Sequence, residues 1–168
     1  MINSYNGTME NKILDIDVFD RKILGELQQD ASRSTTEIAE AVGLSQAPCW
    51  RRIQRLRESG YVRAQVALVD RRKIGLNAQI FAQVKLSATG RANVEAFTDA
   101  IREFPEVLEC YVLMGSVDFM LRIVTKDIEA YERFFYEKLS SVPGVQEISS
   151  MVALSEIKST TALPIETD

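Results

Sequence analysis

The apolar pattern changes period part-way along the chain. From Asp17 to Ser59 apolar residues recur every three to four positions, whereas from Asn77 onward the first run alternates residue by residue. A period near 3.6 builds a helix with one apolar face, and a period of two builds a strand covered on one side. Two consecutive runs of different period need two separate cores. The expected fold class is therefore α+β, with a helical domain first and a sheet domain second.

In the helical run, Asp17 is placed to cap a first helix in which Phe19, Ile23 and Leu27 follow at i, i+4 and i+8, with Leu24 beside them. After a polar break at Asp30 to Ser34, Thr35 or Thr36 is placed to cap a short helix carrying Ile38, Ala39 and Val42. That helix stops at Gly43, and Ser45 opens a third that runs to about Ser59 before Gly60. Two short helices joined at a glycine form a helix-turn-helix. On the third helix Cys49, Ile53 and Leu56 share a narrow arc and face inward, which leaves Ala47, Arg51, Gln54 and Arg55 on the opposite side. Small, guanidinium and amide side chains near a helix start suit the DNA major groove, where Arg reads guanine and Gln reads adenine. Arg52 points sideways, toward phosphate, and Trp50 is expected to cover the edge of the three-helix core.

Charge is distributed to match. The net charge is -4, yet Lys12 to Lys73 carries 12 basic against 9 acidic side chains, while Leu76 to Asp168 carries 8 against 14. Arg51, Arg52, Arg55, Arg57, Arg63, Arg71, Arg72 and Lys73 are opposed locally by only Glu58 and Asp70. Such a stripe neutralises phosphates while the acidic half stays off the DNA. The chain has no histidine, hence neither the commonest general base nor the commonest metal ligand. Cys49 and Cys110 lack metal-ligand spacing and read as small apolar residues. With no nucleophile and base pair and no phosphate-cradling glycine run, no enzyme activity, metal or cofactor is expected. The apolar runs fall short of the roughly 20 residues that span a bilayer, and no signal pattern opens the chain, so the expected location is the cytoplasm.

The second half follows the order βαββαβ. Asn77 to Ser87 is the first strand, with Ile80, Ala82, Val84 and Leu86 on its covered side; Val94, Phe97 and Ile101 then mark a helix ended by Pro105. Val107 to Met114 and Phe119 to Thr125 are strands, Asp127 caps a helix bearing Ile128, Tyr131 and Phe135, and Val145 to Leu154 closes the sheet. A ferredoxin-like sandwich of this order leaves one sheet face uncovered, and self-association is the economical way to cover it. Between the strands, Gly115 to Phe119 offers backbone N–H groups for a carboxylate, and Asp118 an anion for an ammonium; a plain hairpin turn is the competing reading.

The run TTEIAEAVGLSQAPCWRRIQ (Thr35 to Gln54), the following RLRESGYV and the opening LDIDVFDRKIL resemble the Lrp/AsnC (feast-famine) transcriptional regulators. The resemblance continues through PEVLECYVLMGSVDFML, SSVPGVQEISSMVALSEIK and TTALPI, so it covers nearly the whole chain from Leu14. It implies a three-helix winged helix-turn-helix domain at residues 14–61, after a mobile tail at 1–13. The linker at 62–76, with strand-like Val66 and Leu68, either pairs as a strand between protomers or is a plain solvated connector. The ferredoxin-like effector-binding and oligomerisation domain then occupies 77–168. It implies contacts to double-stranded DNA from Thr35, Thr36, Ser45, Gln46, Ala47, Pro48, Arg51, Arg52, Gln54 and Arg55. An amino acid effector would meet Leu113, Met114, Gly115, Ser116, Val117, Asp118 and Phe119, together with Ser149, Ser150 and Met151. Ser116 stands where relatives frequently carry an acid. The resemblance further implies homodimers that gather into a larger ring, often an octamer. The alternative function is an effector-independent architectural protein that bridges or wraps DNA.

Overall fold

The computed structural model describes residues 16–167, so the expected tail at 1–13 lies outside the described residues. The chain divides into two compact units: one holds the residues up to Ala67 together with those from Ser159, and the other spans Leu68–Lys158.

The first unit contains α1 (Val18–Gln29), α2 (Thr35–Val42) and α3 (Gln46–Glu58). Asp17 caps α1, and Asp20 returns the bond to the Asp17 backbone N–H. Ser34, rather than Thr35 or Thr36, caps α2: its hydroxyl accepts the Glu37 N–H while the Glu37 carboxylate accepts the Ser34 N–H. Only Ser34 has a glutamate three residues on, so only there are two orphan donors satisfied at once. Gly43 ends α2 at φ 76°, a left-handed position suited to glycine, and turns the chain into α3. Ile23, Leu24, Ile38, Ala39, Val42, Cys49, Ile53 and Leu56 form the buried core.

Three features of this unit differ from the sequence expectation. Trp50 is 53% exposed, and Tyr61, Val62 and Ile165 pack against the core in its place. At 100° per residue, position 50 falls midway between buried Ile53 and outward-facing Ala47, and its ring turns to the outer side of α3. The stretch after α3 forms no wing hairpin within this chain, and the strand expected there is one paired between protomers; here the stretch is held where Gln65 accepts from Arg57 and donates to the Ala31 carbonyl, each at 3.0 Å. A strand needs a ladder partner, and Val66 and Leu68 remain 76% and 74% exposed. Finally, the segment from Ser159 belongs with the helices instead of the sheet domain that was expected to run to 168. Its cause is a two-way clasp: the Gln28 amide accepts the Leu163 N–H at 2.6 Å and donates to the Leu163 carbonyl at 3.2 Å, while Ile165 buries apolar surface on the helical core.

The second unit is a βαββαβ sandwich, as its alternation indicates. Its elements are β1 (Ala78–Leu86), α4 (Ala88–Ala92), α5 (Val94–Arg102), β2 (Val107–Val112), β3 (Phe119–Thr125), α6 (Ile128–Glu137) and β4 (Val145–Val152). The sheet order is β2-β3-β1-β4, every neighbouring pair antiparallel. β2 stops at Val112 rather than Met114 because its partner β3 begins at Phe119, opposite Val112. Ile80, Ala82, Val84, Leu86, Phe119, Leu121 and Ile123 bury against Phe97, Ile101, Tyr131 and Phe134 of the helices. The other sheet face carries Phe81, Gln83 and Lys85 half-buried, with Tyr111 and Met151 exposed. At one end two backbones meet: a Cβ on Gly90 would lie 2.4 Å from the Gly144 carbonyl oxygen. No helix among the described residues is long and apolar enough to cross a membrane.

Candidate nucleic-acid interface and effector loop

On the first unit, the turn at Gly43 brings the start of α2 against the first turns of α3. Thr35, Gln46, Ala47, Trp50 and Arg51 thereby line one open groove of about 580 Å³. Four of these five were expected to meet DNA; Trp50 was not. Its signal was available, since Ala47, Trp50, Arg51 and Gln54 stand at i, i+3, i+4 and i+7 and share a face. Arg51 is exposed and points into this groove's lining, whereas Gln54 and Pro48 are half-buried. Thr36 and Ser45 are exposed, and Ser45 occupies the N-cap position of α3 without a side-chain cap bond.

Arg52 and Arg55 face a different task. Arg52 Nη1 donates to Asp17 Oδ2 at 2.7 Å and to Asp20 Oδ1 at 2.8 Å, and Arg55 pairs with the second Asp20 oxygen. Asp20 is fully buried, so two guanidiniums satisfy both of its oxygens where water does not reach. The Asp20 hydrogen bond, with that of Asp17, raises the Arg52 pKa; at Asp17 slight burial pushes up, but the Asp20 N–H and Arg52 prevail and hold the carboxyl below its ordinary value. Arg52 also lies over the Phe19 ring, 5.7 Å from its centroid. These residues brace α1 to α3. The Arg55 side chain stays 52% exposed and retains an outward edge. Sequence reasoning missed Asp20 because its partners lie 32 and 35 positions away.

On the second unit, the expected effector loop is a closed hairpin end. The Leu113 N–H donates to the Asp118 carbonyl and the Asp118 N–H to the Val84 carbonyl, both at 2.9 Å. The Asp118 carboxylate accepts the Leu86 N–H at 2.7 Å and lies 3.3 Å from Arg91 Nε. Leu113, Met114, Gly115 and Ser116 are exposed and Val117 is half-buried, while Phe119 sits in the core with its ring 4.5 Å from that of Phe97. On β4, Ser149, Ser150 and Met151 pair with Gln83, Ala82 and Phe81. Ser150 meets the Tyr131 hydroxyl at 2.5 Å on the helix side, which leaves Ser149 and Met151 on the open face. Across the sheet, Phe119 at the end of the loop and Ile148 on β4 flank Val84 of β1 from opposite sides, while β2 and β4 are the two edges.

Among the described residues, no group of three or more His, Cys, Asp or Glu side chains is arranged to hold a metal ion.

Comparison with known proteins covers both units. The family model of the AsnC-type helix-turn-helix domain matches residues 16–57, and that of the Lrp/AsnC ligand binding domain matches residues 79–163. The DNA-binding transcriptional activator DecR of Escherichia coli K12 is 38% identical over 151 residues, covering 90% of this chain and 99% of its own. The leucine-responsive regulatory protein of the same strain is 32% identical over 153 residues, covering 91% and 93%. A transcriptional regulator of Neisseria meningitidis solved as its L-Met complex superposes with a TM-score of 0.85 at 38% identity, over 89% of this chain and 96% of that one.

Proposed function

This chain belongs to the Lrp/AsnC family of DNA-binding transcriptional regulators, and from that premise we propose that it is a sequence-specific regulator whose assembly and DNA affinity respond to a small amino acid. Its relatives are regulators, not enzymes. The observation that carries the DNA half of the reading is the groove at Thr35, Gln46, Ala47 and Arg51, where a guanidinium and an amide stand free beside small side chains. Arg51 reads a base edge, Gln46 and Gln54 flank it, and Thr36, Ser45 and Pro48 approach the backbone of the same half-site. Arg55 reaches a phosphate with its exposed edge. Arg52 acts by holding α3 against α1.

The effector binds at the hairpin end formed by Leu113, Met114, Gly115, Ser116 and Val117, where the backbone N–H groups of the turn from Gly115 to Val117 meet its carboxylate. Asp118 and Phe119 hold that end in shape. Ser149 and Met151 complete the pocket from the open face of another copy, and Ser150 holds that strand in place through Tyr131. Dimers form over the open sheet face and gather into an octamer, in the cytoplasm. A ligand that touches two copies changes their mutual affinity, and through it the spacing of the reading helices. The L-Met complex of the 38%-identical Neisseria regulator supports an amino acid as the ligand class.

One observation favours the effector-independent architectural reading: the Asp118 carboxylate already has Leu86 and Arg91 as partners. Calorimetry of the full chain with each of the twenty common amino acids separates the two readings. Binding of one or a few, with a change in sedimentation, supports regulation; no heat from any of them supports the architectural alternative. Recovery of one sequence motif from a random duplex library tests the DNA half.

A further inference from the structure

Trp50 is the chain's single tryptophan, and it is 53% exposed. It forms part of the groove that holds Thr35, Gln46, Ala47 and Arg51. A large apolar ring left half exposed at the edge of a polar reading face is not needed to close the core, against which Tyr61, Val62 and Ile165 pack. What the DNA major groove offers such a ring is one apolar group, the thymine 5-methyl, which distinguishes thymine from cytosine. Charge agrees with that occupant: the adjoining side chains are a free guanidinium and an amide, with Thr35 and Ala47 small enough to admit a base edge.

We infer that Trp50 is a specificity-determining residue that packs on the 5-methyl group of a thymine in the half-site contacted by Arg51. The inference rests on the DNA-reading role proposed above and adds to it a required thymine position. Arg51 then supplies a polar contact and Trp50 an apolar one to neighbouring bases, so one turn of α3 reads two chemically different features.

The test uses the full chain and duplexes enriched by the wild type from a random 20-base-pair library, each also made with deoxyuridine for every thymine. Removing a methyl group from each half-site is expected to weaken wild-type binding about 3- to 15-fold for a two-half-site duplex. Trp50→Ala should bind the thymine and uracil duplexes equally, and Trp50→Phe should keep part of the difference. Single-position uracil substitutions should locate the effect at one position per half-site. The tryptophan emission should shift on adding the thymine duplex. If Trp50→Ala discriminates the two duplexes as the wild type does, or if the emission does not change on DNA binding, the inference is overturned while DNA reading stands. An emission change that follows protein concentration instead of DNA likewise overturns it and marks a protein contact. If the wild type enriches no sequence, the DNA-reading proposal itself fails.

Discussion

The Arg52 guanidinium crosses from α3 to the first turn of α1 and grips Asp20, a carboxylate with no solvent exposure, at 2.8 Å. A buried carboxylate that loses one of its two cations keeps its desolvation cost and loses much of what offset it. Arg52→Ala is therefore expected to destabilise the helical unit by about 2 kcal/mol in urea unfolding. Its DNA affinity should fall in step with the unfolded fraction. Unchanged stability with weakened binding to all sequences would instead make Arg52 a phosphate contact.

Arg51 contrasts with its neighbour, being exposed and engaged in none of the head's ion pairs. Arg51→Ala should leave stability within about 0.5 kcal/mol and cost about 1 to 3 kcal/mol on the enriched duplex with relaxed specificity. Equal losses on enriched and random DNA would contradict base reading.

Gly90 admits no side chain. A methyl group there meets the Gly144 carbonyl oxygen at 2.4 Å, backbone against backbone, and Gly144 itself sits at φ 88°. Gly90→Ala is expected to destabilise the sheet unit by about 2 to 3 kcal/mol. The comparison is thermal unfolding of the two units, in which the sheet's transition should drop.

Acid should weaken both units, the sheet unit through Glu109, whose carboxyl the bond to Arg122 holds below its ordinary value, and the helical unit through Glu37 and Asp17. The Ser34 hydroxyl and N–H hold Glu37 below its ordinary value, and Asp17 is likewise lowered, by the Asp20 N–H and Arg52 against slight burial. A carboxyl depressed by folding stabilises the native state above its unfolded pKa, and that stabilisation is lost as pH falls through the lower, folded value. Stability is thus expected to decline from about pH 4 downward. In Glu37→Gln the acid limb of the stability curve should be shallower, read by circular dichroism at fixed urea.

Asp118 has a structural duty that is measurable without any effector. Asp118→Ala leaves the Leu86 N–H without its acceptor and should lower the sheet unit's stability by about 1 to 3 kcal/mol. Asp118→Asn retains an acceptor oxygen and should recover most of that loss. If Asp118→Asn is as unstable as Asp118→Ala, the bond to Leu86 contributes little and Arg91 is the partner that matters.

Local patterns were legible in the sequence and distant pairings were not. The alternation of Ile80, Ala82, Val84 and Leu86 gave β1 and its buried side, and Asp17 and Asp127 were readable as caps because a cap bonds within its own turn. Ser34 was readable in principle, through Glu37, but adjacent threonines obscured it. The braces from Arg52 and Arg55 to Asp20 were not, because nothing in a helical period says which charge on another helix a guanidinium will meet. Ala47 and Arg51 emerged where the arc predicted, whereas the angle of Trp50 lies between the buried and outer arcs and leaves its side undecided. Val66 and Leu68 have strand chemistry without a partner in this chain, and chemistry alone does not supply the ladder.

The clasp between Gln28 and Leu163 joins residues 135 positions apart. The three helices pack from neighbouring sequence, so they can assemble early, but their last contacts wait for a segment that arrives after the whole sheet has been threaded between. The clasp closes a chain segment of 135 positions, and the entropic cost of such a closure grows only slowly with its length. Part of the helical unit's packing therefore rests on a segment that the chain supplies only after the sheet unit's sequence.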